Sequence, residues 1–235
     1  CIRDRNWHSH EVEQGAVFYI AGEGHSGFKK RFKAWQQEHK VSLQGMPLFL
    51  SDKAVALPDD TGDLIEHIDN LVNATGQAPK LIIFDTLARC LVGDENYAKD
   101  IGAFIQALDE IRKKYGCCVL TVHHTGHNEA NRARGSSALK AAMDTELSLT
   151  AKSGVCELSV TKQKNHEEAS SLYFKLKQVE LGEEFNSAVL TSTTDKPATK
   201  DNVLGSNDKI VLEALETVQV QVQDKSGTGT GTNGT

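Results

Sequence analysis

The spacing of apolar residues changes along the chain and divides it into two parts. As far as about residue 126, unbroken apolar runs alternate with stretches in which apolar residues recur every three to four positions. Unbroken runs are typical of strands buried on both faces, and the longer spacing is typical of amphipathic helices. Strands that alternate with helices predict βαβ units, so we expect an α/β fold with a mostly parallel sheet flanked by helices.

Four strands and three helices are predicted in this first part. The apolar runs place the strands at 16–21, 46–50, 81–85 and 117–122. Helical spacing predicts one helix over 28–40, a second that starts near Asp60 and a third that ends at Gly116. Each predicted helix therefore connects two predicted strands.

The second part alternates apolar and polar residues, which predicts antiparallel strands. Such alternation occurs at 146–150, 155–162 and 171–179, with turn residues between the segments. We expect these hairpins at the C-terminal edge of the sheet. The Gly/Thr-rich end of the chain cannot bury enough surface to offset the entropy of ordering it. We divide the chain into an irregular segment at 1–15, a core at 16–192, and a linker with a disordered tail at 193–235.

Composition excludes several classes of protein. The chain has 39% hydrophobic residues and a net charge of −6, which argues against wrapping nucleic acid over the whole surface but allows a local basic contact. Its five cysteines show no CxxC spacing and are typical of reduced thiols in a cytoplasmic protein. No apolar run approaches the length of about 18 residues that a membrane span needs.

Candidate catalytic residues follow three of the predicted strands. Asp85 ends one strand, where a carboxylate can hold a metal ion or cap the next helix. Glu23 stands between two glycines just past the first strand, where it can polarise a water molecule or remain a solvated loop residue. His123 and His124 follow the fourth strand, where a histidine can donate a hydrogen bond to a phosphate.

Basic residues mark two further candidate sites. The segment 126–135 contains His127, Arg132 and Arg134 and no large apolar residue, so we expect a mobile loop that contacts phosphates, or a solvated polar loop. Lys162 and Lys164 lie two positions apart on a predicted strand and should point the same way. They can approach one polyphosphate together, or they are ordinary exposed lysines at a hairpin tip.

In this order, the motifs resemble those of the RecA-like P-loop ATPases, and among them the hexameric replicative helicases of plasmids and phages of the RepA type. The resemblance spans about residues 10–182. Its motifs are VFYIAGEG at 17–24, Arg31, LIIFDT at 81–86, VHHTG at 122–126, RGSSAL at 134–139 and TKQKN at 161–165.

The resemblance implies a role for each candidate residue. Asp85 would be the Walker B aspartate that holds Mg²⁺ through water, and Glu23 the general base that orients the attacking water. His124, with His123 beside it, would sense the γ-phosphate of ATP. The loop 126–135, with His127, Arg132 and Arg134, would face single-stranded DNA. The remaining nucleotide contacts would come from Thr86, Arg31, Lys162 and Lys164.

The resemblance also implies a homo-oligomeric ring, most simply a hexamer, in a phage, plasmid or mobile-element replication system. Lys162 and Lys164 would enter the neighbouring subunit's site, where a cation supplied in trans raises the rate about 10³–10⁵-fold in related enzymes. Two alternatives stay open. One is a non-catalytic DNA-binding or assembly subunit with a degenerate ATPase fold, and the other is a RecA-type ATPase of recombination or regulation.

The chain departs from the pattern of the family at three places. The 235 residues contain no GxxxxGK[ST] motif, and the sequence opens without Met, so we expect that it is truncated and that the fragment neither binds ATP tightly nor hydrolyses it. His127 stands where relatives commonly have lysine. Asp144 stands where some plasmid helicases have a finger arginine, so that role is not assigned.

Overall fold

The computed structural model describes residues 7–8, 10–126, 129–133, 137–182 and 186–197. Its helices are α1 (His25–His39), α2 (Thr61–Thr75), α3 (Leu87–Cys90), α4 (Ala98–Tyr115) and α5 (Ser137–Ala142). Its strands are β1 (Ala16–Ala21), β2 (Leu48–Leu50), β3 (Pro79–Asp85), β4 (Cys118–Val122), β5 (Thr125–Gly126), β6 (Glu129–Ala133), β7 (Thr145–Lys152), β8 (Val155–Gln163), β9 (Leu172–Glu180) and β10 (Asn186–Thr193).

A parallel sheet forms the centre of the fold, in the order β2-β1-β3-β4. Its strands are the four that the apolar runs predict, so the predicted α/β class is confirmed. The register aligns the carboxyl ends of three strands, since Ala21 pairs with Asp85 and Asp85 pairs with Val122. Side chains that follow these three positions therefore meet at one edge of the sheet.

The helices α2 and α4 bury their apolar stripes in the core that covers this sheet. Both helices end at a glycine in the left-handed conformation, with φ of 69° at Gly76 and 60° at Gly116. The largest fully buried side chains of the core are Phe84, Phe104, Leu57, Ile68, Ile82, Leu87, Ile101 and Ile111.

The remaining long strands form a separate antiparallel sheet, in the order β10-β9-β8-β7. Three of them match the predicted hairpins, and β10 is an additional strand that the alternation does not predict. Ala34 of α1 is buried against Val179 and Val189 of this sheet. That contact gives the polar strand β10 a reason to form that its own sequence does not show.

The predicted loop 126–135 is partly structured, since β5 and β6 pair as an antiparallel ribbon. His127, Arg134 and the predicted disordered tail lie outside the described residues. Within the described ranges, no helix is long and apolar enough to cross a membrane.

Candidate functional site

The loop after β1 lies directly against the end of β3. The Gly22 N–H donates a hydrogen bond to the Asp85 carbonyl oxygen at 2.5 Å. A Cβ atom at Gly22 would lie 2.3 Å from the Cβ of Arg89, so only glycine allows this approach. Glu23 is thereby placed beside the strand end that carries Asp85.

Asp85 accepts a hydrogen bond from a neighbouring strand. The Tyr19 hydroxyl of β1 donates to Oδ2 of Asp85. Burial raises the pKa of Tyr19, and the bond to Asp85 raises it further, so the hydroxyl stays protonated and keeps donating. The N-cap position of α3 is taken by Thr86. Asp85 is therefore not the helix cap that the sequence also allowed.

The Glu23 carboxylate lies between two basic side chains. Its Oε2 is 3.3 Å from Nε of Arg89, and its Oε1 is 3.8 Å from Nε2 of His124. Glu23 comes from the loop after β1, Arg89 from α3 and His124 from the residues after β4. The structure thus brings together Glu23 and His124, two of the residues that the sequence singled out.

The two adjacent histidines contact different carboxylates. Nδ1 of His123 lies 4.0 Å from Oε2 of Glu95, and the His123 side chain is only 10% exposed, whereas that of His124 is 69% exposed. Neighbouring residues on an extended segment point to opposite sides. His124 is therefore open to a ligand at the sheet edge, and His123 joins the end of β4 to the loop before α4.

Two predicted nucleotide contacts border this site. The guanidinium of Arg31 lies 4.6 Å from the ring centre of Phe28, and its Nη2 donates to the Gly24 carbonyl at 3.4 Å. Arg31 thus turns back toward the glycine loop that carries Glu23. Thr86 is buried, with 3% exposure, directly after Asp85.

The lysine pair has partners within its own chain. Nζ of Lys162 donates to the carbonyl oxygens of Lys140 at 2.6 Å, Ala141 at 3.0 Å and Met143 at 2.7 Å. It therefore stabilises the C-terminal end of α5, where a positive charge is favourable. Nζ of Lys164 lies 3.2 Å from Oδ1 of Asp144, and both side chains are exposed.

We expect Lys162→Ala to destabilise the chain more than Lys164→Ala does. The first substitution removes three hydrogen bonds from a charged group and should lower the free energy of unfolding by about 1–2 kcal/mol. The second removes one exposed ion pair, which is worth at most about 1 kcal/mol. Urea unfolding of both variants tests this difference. Equal unfolding midpoints would show that Lys162 does not hold α5.

The basic residues of the predicted DNA-facing loop are described only in part. Arg132 lies on the ribbon strand β6, whose backbone alone is described. His127 and Arg134 lie outside the described residues. The structure therefore places none of these three side chains at the site.

The carboxylate set at the sheet edge fits magnesium held through water. Among the described residues, no group of three or more His, Cys, Asp or Glu side chains can hold a metal ion directly. Mg²⁺ keeps several water ligands and commonly uses only one or two carboxylates. Asp85, with Tyr19 fixing one oxygen, suits that mode of binding.

The sequence reasoning missed two residues that shape the site, Tyr19 and Arg89. Tyr19 precedes Glu23 by four residues on a strand whose pattern is otherwise apolar, and a hydroxyl there is a signal for a polar partner. Arg89 follows Asp85 by four residues. In both cases the partner depends on strand register and side-chain direction.

Comparisons with known proteins agree with this architecture. The family model described as "AAA domain" matches residues 1–130. A solved structure of a helicase ATPase domain is 12% identical and superposes with a TM-score of 0.51 over 68% of this chain and 71% of that one. The structure of the RadB recombinase is 15% identical, with a TM-score of 0.49 over 69% of this chain and 76% of that one. No curated protein matches the sequence. The chain has the RecA-like fold of an ATPase domain, and it belongs to the AAA domain family.

Proposed function

We propose that this chain carries the catalytic sheet edge of a Mg²⁺-dependent ATPase whose hydrolysis drives movement along single-stranded DNA. The observation that carries the proposal is the register that aligns Ala21, Asp85 and Val122. It brings a carboxylate at Glu23 within 3.8 Å of His124, beside the strand that ends in Asp85. A base, a metal-binding carboxylate and a phosphate-sensing group are the parts that phosphoryl transfer needs.

Each residue has a defined role in this proposal. Asp85 holds Mg²⁺ through water, and Tyr19 fixes the orientation of its carboxylate. Glu23 orients the attacking water and accepts its proton. His124 faces the terminal phosphate, and Arg31 and Thr86 contact the nucleotide. When bound, Mg²⁺ neutralises negative charge on the phosphates.

The phosphate cradle of such an enzyme is not among these residues. The sequence contains no GxxxxGK[ST] motif, whose backbone N–H groups and lysine supply the main contacts to the phosphates. The proposed hydrolysis therefore needs phosphate contacts from another segment or another chain. We expect the 235-residue chain alone to bind ATP weakly and not to hydrolyse it.

The assembly that fits the proposal is a homo-oligomeric ring, in a cytoplasmic replication system of a phage, plasmid or mobile element. A charge supplied in trans makes hydrolysis depend on ring formation. Lys164 is the better placed of the two lysines, because its described partner is a single exposed aspartate, whereas Lys162 would have to leave three carbonyls. His127, Arg132 and Arg134 are the proposed contacts to DNA phosphates.

The full-length protein provides the test of this function. We expect Mg²⁺-dependent ATP hydrolysis that single-stranded DNA stimulates, together with unwinding of a tailed duplex. Strand exchange without unwinding would instead indicate a recombinase. Full-length protein that binds DNA but hydrolyses no ATP would support a non-catalytic assembly subunit.

A further inference from the structure

Arg89 has a position that the proposed chemistry does not yet use. It lies on α3, four residues after Asp85, and its Nε is 3.3 Å from Oε2 of Glu23. The other oxygen of the same carboxylate, Oε1, faces Nε2 of His124 at 3.8 Å. Arg89 therefore fixes one oxygen of the proposed base and leaves the other toward the group that senses phosphate.

The backbone around this contact is built for close approach. The stem of Arg89 lies over Gly22, where a Cβ atom would come within 2.3 Å of the Arg89 Cβ. Gly22 also donates its N–H to the Asp85 carbonyl oxygen. Because both contacts join the glycine loop to the end of β3, Arg89 and Glu23 are held on facing segments.

Glu23 needs such a partner, because its own backbone gives it little orientation. It is flanked by Gly22 and by Gly24, whose φ of 74° lies in the left-handed region. A general base acts only when its oxygen lies within hydrogen-bond distance of the reacting water. Side-chain contacts must therefore supply the orientation that this glycine-flanked segment does not.

The contact contributes little to stability. The Arg89 side chain is 62% exposed, and exposed ion pairs are weak because water screens them. A weak contact can nevertheless decide the direction of a carboxylate, and small displacements of reacting groups lower rates strongly. The effect of Arg89 should thus appear in the rate of hydrolysis and not in the unfolding of the protein.

We infer that Arg89 is a positioning residue that orients the Glu23 carboxylate for attack on the terminal phosphate of ATP. This inference rests on the proposed ATPase function. It differs from an inhibitory role, in which Arg89 would sequester Glu23 until ATP binds. The two roles predict opposite effects of removing the side chain, because loss of an inhibitor raises the rate.

The test compares Arg89→Ala, Arg89→Lys and Glu23→Gln in the full-length protein. We expect Arg89→Ala to lower kcat about tenfold while KM for ATP stays within about twofold, because orientation and not ground-state binding is lost. Arg89→Lys should recover part of the rate, since it keeps a cation near Oε2. Arg112→Ala is the matched control, because Arg112 is an exposed arginine paired with Asp109 on α4.

The outcomes separate this inference from the function on which it rests. If Glu23→Gln abolishes hydrolysis but Arg89→Ala keeps or raises kcat, the positioning role is overturned and the ATPase proposal stands. An Arg89→Lys variant no better than Arg89→Ala also overturns it, as does a rise in KM that matches the fall in kcat. If the wild-type protein hydrolyses no ATP, or Glu23→Gln hydrolyses it normally, both proposals fail.

Discussion

Glu23→Gln should lower the rate of ATP hydrolysis by the full-length protein about 10²–10⁴-fold, the range that a general base commonly contributes. Glutamine keeps the size of the side chain and its ability to accept a hydrogen bond from Arg89. It loses the negative charge and with it the capacity to take a proton from water. The loss should therefore appear in kcat.

Binding of ATP should change little in the same variant. Glu23 acts on the attacking water, so its contribution arises in the transition state and not in the bound ground state. Equilibrium binding of ATP with Mg²⁺, measured beside steady-state hydrolysis, separates the two quantities. Glu110→Gln is the control, because Glu110 is an exposed carboxylate on α4. A Glu23→Gln variant that hydrolyses ATP as fast as the Glu110→Gln variant would remove Glu23 from the mechanism.

The meeting of Glu23, Asp85 and His124 could be foreseen from the sequence for a simple reason. Each residue follows an apolar run, and the carboxyl ends of parallel strands share one edge of a sheet. Knowledge of the strand order was not needed for that conclusion. The observed register, which pairs Ala21 with Asp85 and Asp85 with Val122, adds the distances.

The side-chain contacts around these residues could not be predicted in the same way. The bond from Tyr19 to Asp85 and the contact of Arg89 with Glu23 join positions 66 residues apart. Such partners depend on register and rotamers, which apolar spacing does not determine. Lys162 shows the same limit, because its carbonyl partners lie in and just after α5, a six-residue helix with no buried residue and hence no apolar stripe.

The sheet edge also depends on the core beneath it. Phe84 immediately precedes Asp85 in β3 and is fully buried. Its ring meets that of Phe104 of α4 edge to face, with the ring centres 6.5 Å apart. The strand that presents Asp85 is thus held by an aromatic contact to the longest helix of the described chain.

Phe104→Ala should therefore be the most destabilising of the substitutions considered for this chain. Removing a buried phenylalanine side chain typically costs about 3–5 kcal/mol, through lost burial and the cavity that remains. That is a large part of the roughly 5–15 kcal/mol by which a folded domain is stable. Urea unfolding should show a lower midpoint with an unchanged slope, because the folded and unfolded states expose similar surface in the variant and the wild type.

Leu71→Ala provides the matched control for this substitution. Leu71 lies on α2 and is 38% exposed, so its truncation leaves no closed cavity and should cost less than about 1 kcal/mol. If Phe104→Ala cost no more than Leu71→Ala, α4 would not be packed against β3 as the structure has it. The alignment of Asp85 with Ala21 and Val122 would then lack the support that the core gives it, and the proposed site would lose its structural basis.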